Sequence, residues 1–256
     1  MRHSTCLRDY AQAMRTVGID LSATDRKTGI AVLHAEGGKA TVTDLSVGGH
    51  SAEGIRDRIR TSDKTGIDCP LGWPVGFVDF VSAHRDHGDL PGDADRRNLT
   101  HRATDRFVEK TAGVRPLAVT ADRIGITAMH CARLLSGLEA GTVDRTGRTG
   151  PVVEVYPAAM LRMWGLPHRG YKETKNSAAR STLVAHVQES LPWLDLGEHA
   201  ELCRATDDAL DAVLCAVMAL LVVNGDALEI PHEHHEAARS EGWIALPQGH
   251  SRSFPS

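Results

Sequence analysis

The sequence has 256 residues, of which 41% are hydrophobic and 24% are charged, and its formal net charge is −4 at pH 7. This composition excludes an intrinsically disordered chain and is sufficient for one large globular domain or two small ones. It also excludes an overall basic charge of the kind that attracts nucleic acids, although a local basic patch can suffice.

Two further features of the sequence bear on the cellular compartment of the protein. The N-terminal residues 1–10 are polar and charged, and the longest apolar run, residues 209–223, contains Asp211, so we expect no signal peptide and no membrane span. The five cysteines form no C-x-x-C pair, and their odd number favours free thiols in a reducing cytoplasm. Cys69 follows Asp68, but no adjacent histidine activates it, so a catalytic thiol is not favoured.

The first part of the chain predicts a meander of three antiparallel strands, then a helix and a fourth strand. The three strands are predicted over residues 15–21, 28–35 and 40–47, with a hairpin turn at E-G-G-K between the second and the third. Ser51 is a favourable N-cap for a short helix that buries Ile55 and Ile59. Residues 65–68 predict a brief fourth strand, which Pro70 ends.

Helices dominate the prediction for the rest of the chain. An insertion over about residues 72–122 is rich in proline, glycine and charge, and we expect loops and one or two helices there. The apolar spacing then predicts a helix over 124–138, a strand over 151–156 and a helix over 177–191. Thr206 is the predicted N-cap of the last long helix.

Acidic residues occur in the predicted strands, at their ends and at the start of the last helix. They are Asp20, Asp68, Glu154, Asp208 and Asp211. Carboxylates in or beside apolar segments are costly unless they are paired or bind a metal. Asp208 and Asp211 are three residues apart and therefore share one face of the helix. Each acid also has an ordinary interpretation: a strand-end or helix-start acid or, for Glu154, an edge strand with one solvated face.

Acids drawn from two strands and a helix can form an anionic pocket of the type that hard divalent cations occupy. Two Mg²⁺ or Mn²⁺ ions about 4 Å apart serve in-line hydrolysis of a phosphodiester. Distance is the deciding test. If the nearest carboxylate oxygens of Asp20, Asp68 and Asp211 lie more than about 8 Å apart, two-metal catalysis by this set is excluded.

The predicted order of elements resembles that of the ribonuclease H-like fold. This order is three antiparallel strands, a helix, a strand and then α/β units that end in an acidic helix. In that superfamily an aspartate of the first strand is the central metal ligand, which Asp20 matches, and an acid at the end of the fourth strand matches Asp68. The string D-A-L-D-A at 208–212 is similar to the D-x-x-D-A of RuvC-type Holliday-junction resolvases, in which the fourth-strand acid is glutamate. The resemblance implies an α/β fold: a mixed five-stranded sheet, with elements in the order β-β-β-α-β-α-β-α, flanked by helices and carrying the insertion.

Short strings along nearly the whole chain carry a closer resemblance. They are V-G-I-D (17–20), T-G-I-A (28–31), I-D-C-P-L-G-W-P (67–74), R-A-T-D (102–105), E-V-Y-P-A (154–158), G-Y-K (170–172), D-A-L-D-A-V-L-C-A (208–216) and E-G-W-I (241–244). Together they resemble the Domain of Unknown Function 429 family, described as predicted nucleases of ribonuclease H-like fold. This implies one domain over residues 1–256. Glu154 lies on a strand where the better-known enzymes of the fold place no ligand, so its role stays open.

The most basic stretch of the chain, R-R-N-L-T-H-R-A-T-D-R at 96–106, lies in the insertion. Arginines suit bidentate contact with phosphate. We therefore expect Arg102 and Asp105, together with Lys172, to contact the substrate. The alternatives are a solvated charged helix for the basic stretch and an ordinary loop around Lys172.

These features predict a metal-dependent nuclease with Mg²⁺ or Mn²⁺ as cofactor and a nucleic acid or nucleotide as substrate. Asp20, Asp68 and Asp211 would ligate the metals, and Asp208 or Glu154 would add a ligand or orient water. We expect no membrane partner, and the oligomeric state is open. Two other classes remain: a nucleotide- or phosphosugar-binding protein of actin-like ATPase type, and a non-catalytic scaffold of the same fold.

Overall fold

The computed structural model describes residues 13–24, 26–90, 96–249 and 254. The strands are β1 (Met14–Asp20), β2 (Gly29–Glu36), β3 (Lys39–Val47), β4 (Lys64–Ile67), β5 (Val152–Val155), β6 (Leu194–Asp195) and β7 (Ile244–Ala245). The α-helices are α1 (Ala52–Arg60), α2 (Val75–Arg85), α3 (Arg96–Thr100), α4 (Ala103–Ala112), α5 (Ile124–Leu135), α6 (Pro157–Met163), α7 (Ser177–Ser190), α8 (Ala200–Ala205), α9 (Asp207–Asn224) and α10 (His235–Glu241). Short 3₁₀ helices lie at Thr174–Asn176, Gly197–His199 and His232–His234.

One mixed sheet lies at the centre of the fold, with the strand order β6-β3-β2-β1-β4-β5-β7. β1 pairs antiparallel with β2, and β2 pairs antiparallel with β3. Gly37 and Gly38 form the turn between β2 and β3 with φ values of 58° and 80°, because a two-residue hairpin of this type needs positive φ. β4 pairs in parallel with β1, and β5 in parallel with β4. The carboxyl ends of β1, β4 and β5 therefore lie at the same edge of the sheet.

The alternation of side chains along β1 divides the core between the two faces of the sheet. Val17 and Ile19 pack with Ile55 and Ile59 of α1 and with the buried side of α5. On the opposite face, α9 packs with α6 and α7 in a second core cluster. Residues 209–221 of α9 are all buried. Such a helix is enclosed on every side, which explains its nearly continuous apolar sequence.

Glycines in neighbouring strands allow α9 to lie directly against the sheet. They are Gly18 of β1, Gly29 of β2 and Gly66 of β4. A Cβ atom on Gly18 would lie 1.9 Å from the carbonyl oxygen of Ala212, and Cβ atoms on the other two would lie 2.2 Å from backbone oxygens of α9. These glycines determine how closely α9 packs on the sheet. They thereby bring Asp211, one residue before Ala212, to the edge of the sheet.

The predicted strands are close to those of the structure, but the predicted number of strands in the sheet was wrong. β1 to β5 begin and end within one residue of the predicted bounds. The sheet has seven strands rather than five, because the two-residue strands β6 and β7 extend its two edges. The structure therefore shows a mixed α/β fold with a seven-stranded sheet and, within the described residues, ten α-helices.

The predicted helices are also recovered, with small differences at their ends. Ser51 caps α1 by accepting a hydrogen bond from the Gly54 N–H, and Thr206 caps α9 by accepting one from the Asp208 N–H. The helices predicted over 124–138 and 177–191 are α5 and α7. The insertion holds α2, α3 and α4 rather than one or two helices. No helix among the described residues is long and apolar enough to span a membrane.

Candidate metal centre and adjoining cavity

Three carboxylates converge at the edge of the sheet. Asp20 ends β1, and Asp68 directly follows β4, where its N–H donates to the carbonyl oxygen of Ile19 over 2.9 Å. Asp211 reaches the same point from α9. One oxygen of each of the three carboxylates lies within 4.8 Å of the others. This separation is well inside the distance of about 8 Å beyond which two-metal catalysis by these three residues is excluded.

Asp211 is the most enclosed member of the cluster, and two neighbouring residues hold it. Its side chain is fully buried. The Tyr171 hydroxyl donates to Asp211 Oδ1 over 2.9 Å, and Lys172 Nζ lies 2.7 Å from Asp211 Oδ2. The Lys172 side chain remains 50% exposed, so its ammonium sits between the carboxylates and solvent. The structure thus places Lys172, a predicted substrate contact, at the acidic cluster itself.

The charges of the cluster do not balance among the residues that the structure describes, since three carboxylates face the one ammonium of Lys172. Burial raises the pKa of Asp20 well above its usual value, and the charges of Asp211 and Asp68 raise it further. Burial likewise raises the pKa of Asp68 to about 7, although Lys172 opposes the shift. Asp211 in turn raises the pKa of Lys172, which stays protonated. The ionised cluster therefore favours a further bound cation.

Asp208 lies near this cluster but is bound elsewhere. The Thr206 hydroxyl donates to Asp208 Oδ2 over 2.9 Å, while the Asp208 N–H donates to the same hydroxyl oxygen over 3.2 Å. Partial burial raises the pKa of Asp208, and the Thr206 hydrogen bond opposes that shift. Asp208 does not belong to the group of three converging carboxylates. The structure shows the Asp208 carboxylate bound to Thr206, the N-cap residue of α9, and its metal-binding role stays a prediction.

Glu154, Arg102 and Asp105 form a separate, buried ion-pair network. Arg102 Nη2 lies 2.6 Å from Glu154 Oε1 and 2.8 Å from Asp105 Oδ1, and a second bond joins Arg102 Nη1 to Glu154 Oε2 over 2.8 Å. All three side chains are at most 3% exposed. The polar groups of Arg102 and Asp105 are directed at each other and at Glu154, and Arg102 also lines the neighbouring cavity. Their role as substrate contacts stays a prediction. Glu154 is satisfied by an arginine rather than left free for a metal.

The same network attaches the insertion to the sheet. The Leu71 N–H donates to Glu154 Oε2 over 2.9 Å, which holds the loop that follows Asp68. The carboxylate of Glu241 accepts hydrogen bonds from the N–H groups of Val75 and Ala103 over 2.9 and 2.6 Å, at the first residues of α2 and α4. Breaking a buried pair of this kind is strongly destabilising, since it leaves an uncompensated charge.

Other arginines of the basic stretch are also engaged inside the protein. Arg97 pairs with Glu109 of α4, and Arg106 Nη1 donates to the carbonyl oxygen of His101 over 2.7 Å. With Arg102 buried as well, the stretch that looked most suited to a nucleic-acid backbone does not present a row of free guanidinium groups.

A cavity of about 470 Å³ opens directly beside the carboxylates. Asp68 and Lys172 belong both to the acidic cluster and to the cavity wall. Its remaining lining combines cationic, aromatic and apolar residues from three loops. These include Val114, Arg115, Leu117, Ile124, Tyr156, His168, Arg169 and Tyr171. The site therefore joins the acidic cluster, through Asp68, to a cavity that has several cationic side chains in its wall.

Comparison with known proteins places the chain in a family. The sequence profile of the family described as "Protein of unknown function (DUF429)" matches residues 18–236. The chain belongs to the DUF429 family. No curated protein and no solved structure matches it. The matched range includes the three converging acids and Lys172, so the centre of this DUF429 protein lies within the segment that defines its membership.

The sequence indicated some residues of the DUF429 site and gave no sign of others. Tyr156 and Tyr171 lie within the strings E-V-Y-P-A and G-Y-K that carried the family resemblance, next to Glu154 and Lys172. Arg115 and Arg169 stood in no motif, and only the folding of two distant loops brings them to one cavity. Cys69 lines the cavity as well, but burial raises the pKa of its thiol, which disfavours a thiolate nucleophile.

Proposed function

We propose that this DUF429 protein is a divalent-metal-dependent phosphodiesterase, a nuclease of ribonuclease H-like fold. The observation that carries the proposal is the convergence of Asp20, Asp68 and Asp211, whose oxygens lie within 4.8 Å at the carboxyl ends of two parallel strands. The fold assignment is supported by the strand arrangement, since β1, β2 and β3 are antiparallel and β4 and β5 lie parallel on the other side of β1.

The donor set fits a hard cation such as Mg²⁺ or Mn²⁺. All three side chains offer carboxylate oxygens, which these ions prefer over nitrogen or sulfur ligands. Asp211 is fully buried, and the pKa values of Asp20 and Asp68 are raised by burial and mutual repulsion, so an added positive charge relieves an existing penalty. Asp20, Asp68 and Asp211 would hold the ions, and a shared carboxylate would allow two of them.

When bound, such ions make water a better nucleophile and stabilise the leaving oxygen of a phosphodiester. The protein contributes position and charge. The Tyr171 hydroxyl fixes the orientation of Asp211, and the Lys172 ammonium stands at the solvent side of the cluster, where it can bind a phosphate oxygen. Thr206 holds Asp208 beside the cluster, where its carboxylate can orient water.

The test is metal-dependent cleavage of a substrate panel by Asp20→Asn and a matched control. The panel comprises single-stranded DNA, junction DNA and an RNA–DNA hybrid, each with Mg²⁺ or Mn²⁺. Loss of a supporting residue in a metal site typically costs 10–100-fold, so loss of a direct ligand should lower cleavage by about a hundredfold or more. Asp57→Asn, an exposed substitution in α1, should cleave as the unmodified protein does. Equal cleavage by Asp20→Asn would contradict the proposal.

No observation favours the actin-like ATPase alternative to the same degree. Such a protein needs a glycine-rich phosphate loop after the first strand, and residues 21–28 contain no glycine. In a non-catalytic scaffold, three mutually repelling carboxylates would only lower the stability of the fold. Replacement of one of them by an uncharged residue would remove the energetic cost of their repulsion and burial.

A further inference from the structure

We infer that the cavity beside the carboxylates is the substrate pocket and that it holds a single nucleotide unit, a phosphate ester carrying a sugar and base, rather than a length of duplex. The inference rests on the proposed function for the chemistry at the carboxylates. It goes beyond that function by naming the size and class of the substrate and the residues that bind it.

The dimensions of the cavity fit one nucleotide. Pockets of about 300–1,000 Å³ hold small organic ligands, and this cavity measures about 470 Å³. A specific duplex interface, by contrast, spreads over about 1,000–2,500 Å² of basic protein surface. The basic stretch that could have supplied such a surface is engaged in internal contacts through Arg97, Arg102 and Arg106.

Arg169 is the cation best placed to bind the phosphate. It lines the cavity and is exposed, and within the part of the chain that the structure describes it forms no ion pair with a carboxylate. The other lysine and arginine side chains of the wall are already paired. Lys172 pairs with Asp211, Arg115 with Glu109, and Arg102 with Asp105 and Glu154. A free guanidinium at a cavity wall is suited to bidentate contact with phosphate oxygens.

The apolar part of the lining fits a base or sugar. Leu117 is 52% exposed at the cavity, and Val114 and Ile124 lie beside it. Tyr156 is half-buried and contributes an aromatic side chain to the cavity wall. Aromatic side chains bind bases by stacking with little dependence on sequence. The cavity thus combines a phosphate contact, an apolar and aromatic contact, and Asp68 of the acidic cluster.

The experiment is calorimetric titration of the full chain with Mg²⁺ and a nucleoside 5′-monophosphate, compared with inorganic phosphate and with the free nucleoside. We expect the monophosphate to bind with one-to-one stoichiometry and more tightly than either part alone. Arg169→Gln should weaken it about tenfold or more, because one charge-assisted contact is lost. Arg133→Gln, an equally exposed arginine of α5 that does not line the cavity, should leave binding unchanged.

A second pair of variants tests the apolar wall. Leu117→Asp places a negative charge at an exposed cavity position and should weaken the monophosphate strongly, whereas Val78→Asp, at a similarly exposed apolar position of α2, should not. Both positions tolerate charge without loss of folding because they are solvent-exposed, and thermal unfolding of each variant verifies this.

Two outcomes would overturn the inference. The monophosphate could bind no more tightly than inorganic phosphate, or Arg169→Gln could behave as Arg133→Gln does. These results are distinct from failure of the catalytic proposal. If the monophosphate binds through Arg169 but no phosphodiester is cut with any metal, the inference of a nucleotide pocket is upheld and the proposed nuclease function is contradicted.

Discussion

Gly18 of β1 and Ala212 of α9 are in direct backbone contact, with so little space between them that a Cβ atom on Gly18 would lie 1.9 Å from the Ala212 carbonyl oxygen. Asp20 lies two residues after Gly18, and Asp211 lies one residue before Ala212. The packing of the helix on the sheet therefore sets the distance between two of the three carboxylates. Core packing and the geometry of the candidate metal site therefore depend on the same contact.

Gly18→Ala should therefore damage both stability and metal binding. The added methyl group meets backbone atoms, which cannot rotate away as a side chain can, so α9 must shift or the strand must bend. Overpacking of this kind costs about 1–3 kcal/mol and sometimes more, and we expect a loss of free energy of unfolding of about 3 kcal/mol. Denaturant unfolding measures the loss, and calorimetry measures the weakened binding of Mn²⁺.

Gly76→Ala is the matched control, because a Cβ atom at this helical position of α2 would have its nearest neighbours at ordinary contact distances of 3.4 Å or more. This variant should be as stable as the unmodified protein or slightly more stable, since alanine favours the helix. If Gly18→Ala unfolds at the same denaturant concentration as Gly76→Ala, the close packing of α9 on the sheet is not a determinant of stability.

Binding of Mn²⁺ should become tighter as pH rises from about 5.5 to 8. In the metal-free protein the pKa of Asp68 is raised to about 7, so a proton must leave before the carboxylate can ligate the ion. Displacement of one proton gives about a tenfold gain in affinity per pH unit below that pKa. Calorimetry in buffers of different ionisation enthalpy counts the protons released.

The raised pKa of Asp68 also makes the stability of the metal-free protein depend on pH. An acid whose pKa is higher in the folded state than in the unfolded state binds more protons when folded, so stability falls as pH rises from about 4 to above 7. Bound Mn²⁺ removes that penalty, so the rise in Tm that it causes should be larger at pH 8 than at pH 5.5. A metal effect that does not vary between these pH values would contradict the assignment of Asp68 as a ligand.

The carboxylates and the order of the main elements were predictable because their signals are local. Asp20 and Asp68 each end an apolar strand, and Thr206 marks the start of a helix, so short windows of sequence contain the information. The edge strands β6 and β7 are only two residues long and carry no alternation of their own. Their pairing depends on backbone groups that the rest of the fold brings alongside.

The burial of Arg102 was not predictable from the sequence, for a different reason. In sequence Arg102 belongs to a strongly basic stretch, which usually indicates a solvated surface. Its partner Glu154 is 52 residues away, and neither residue carries a local sign that it is paired. Long-range ion pairs of this type are decided by tertiary packing alone. The sequence did indicate that Glu154, within an apolar strand, was unusual, and the structure supplies the reason.

Glu154→Gln and Asp68→Asn should have opposite effects, although each removes one buried negative charge. Glu154 neutralises Arg102 in an enclosed network, so Glu154→Gln should lower the free energy of unfolding by about 3 kcal/mol and leave the affinity for Mn²⁺ nearly unchanged. Asp68 is repelled by its neighbouring carboxylates, so Asp68→Asn should preserve stability and lose Mn²⁺ binding. Denaturant unfolding and calorimetry on both variants test this. Loss of Mn²⁺ binding by a folded Glu154→Gln protein would make Glu154 a ligand after all.

Lys172→Gln should strengthen metal binding while weakening cleavage. The ammonium of Lys172 lies 2.7 Å from Asp211 Oδ2, where it competes with a cation for the same carboxylate, so its removal should raise the affinity for Mn²⁺ severalfold. The same group stands where a substrate phosphate would approach, so cleavage should fall even at saturating metal. Lys175→Gln, at an exposed lysine that pairs with Glu173, should change neither quantity. A parallel fall of metal affinity and cleavage in Lys172→Gln would show instead that the lysine holds the acidic cluster together.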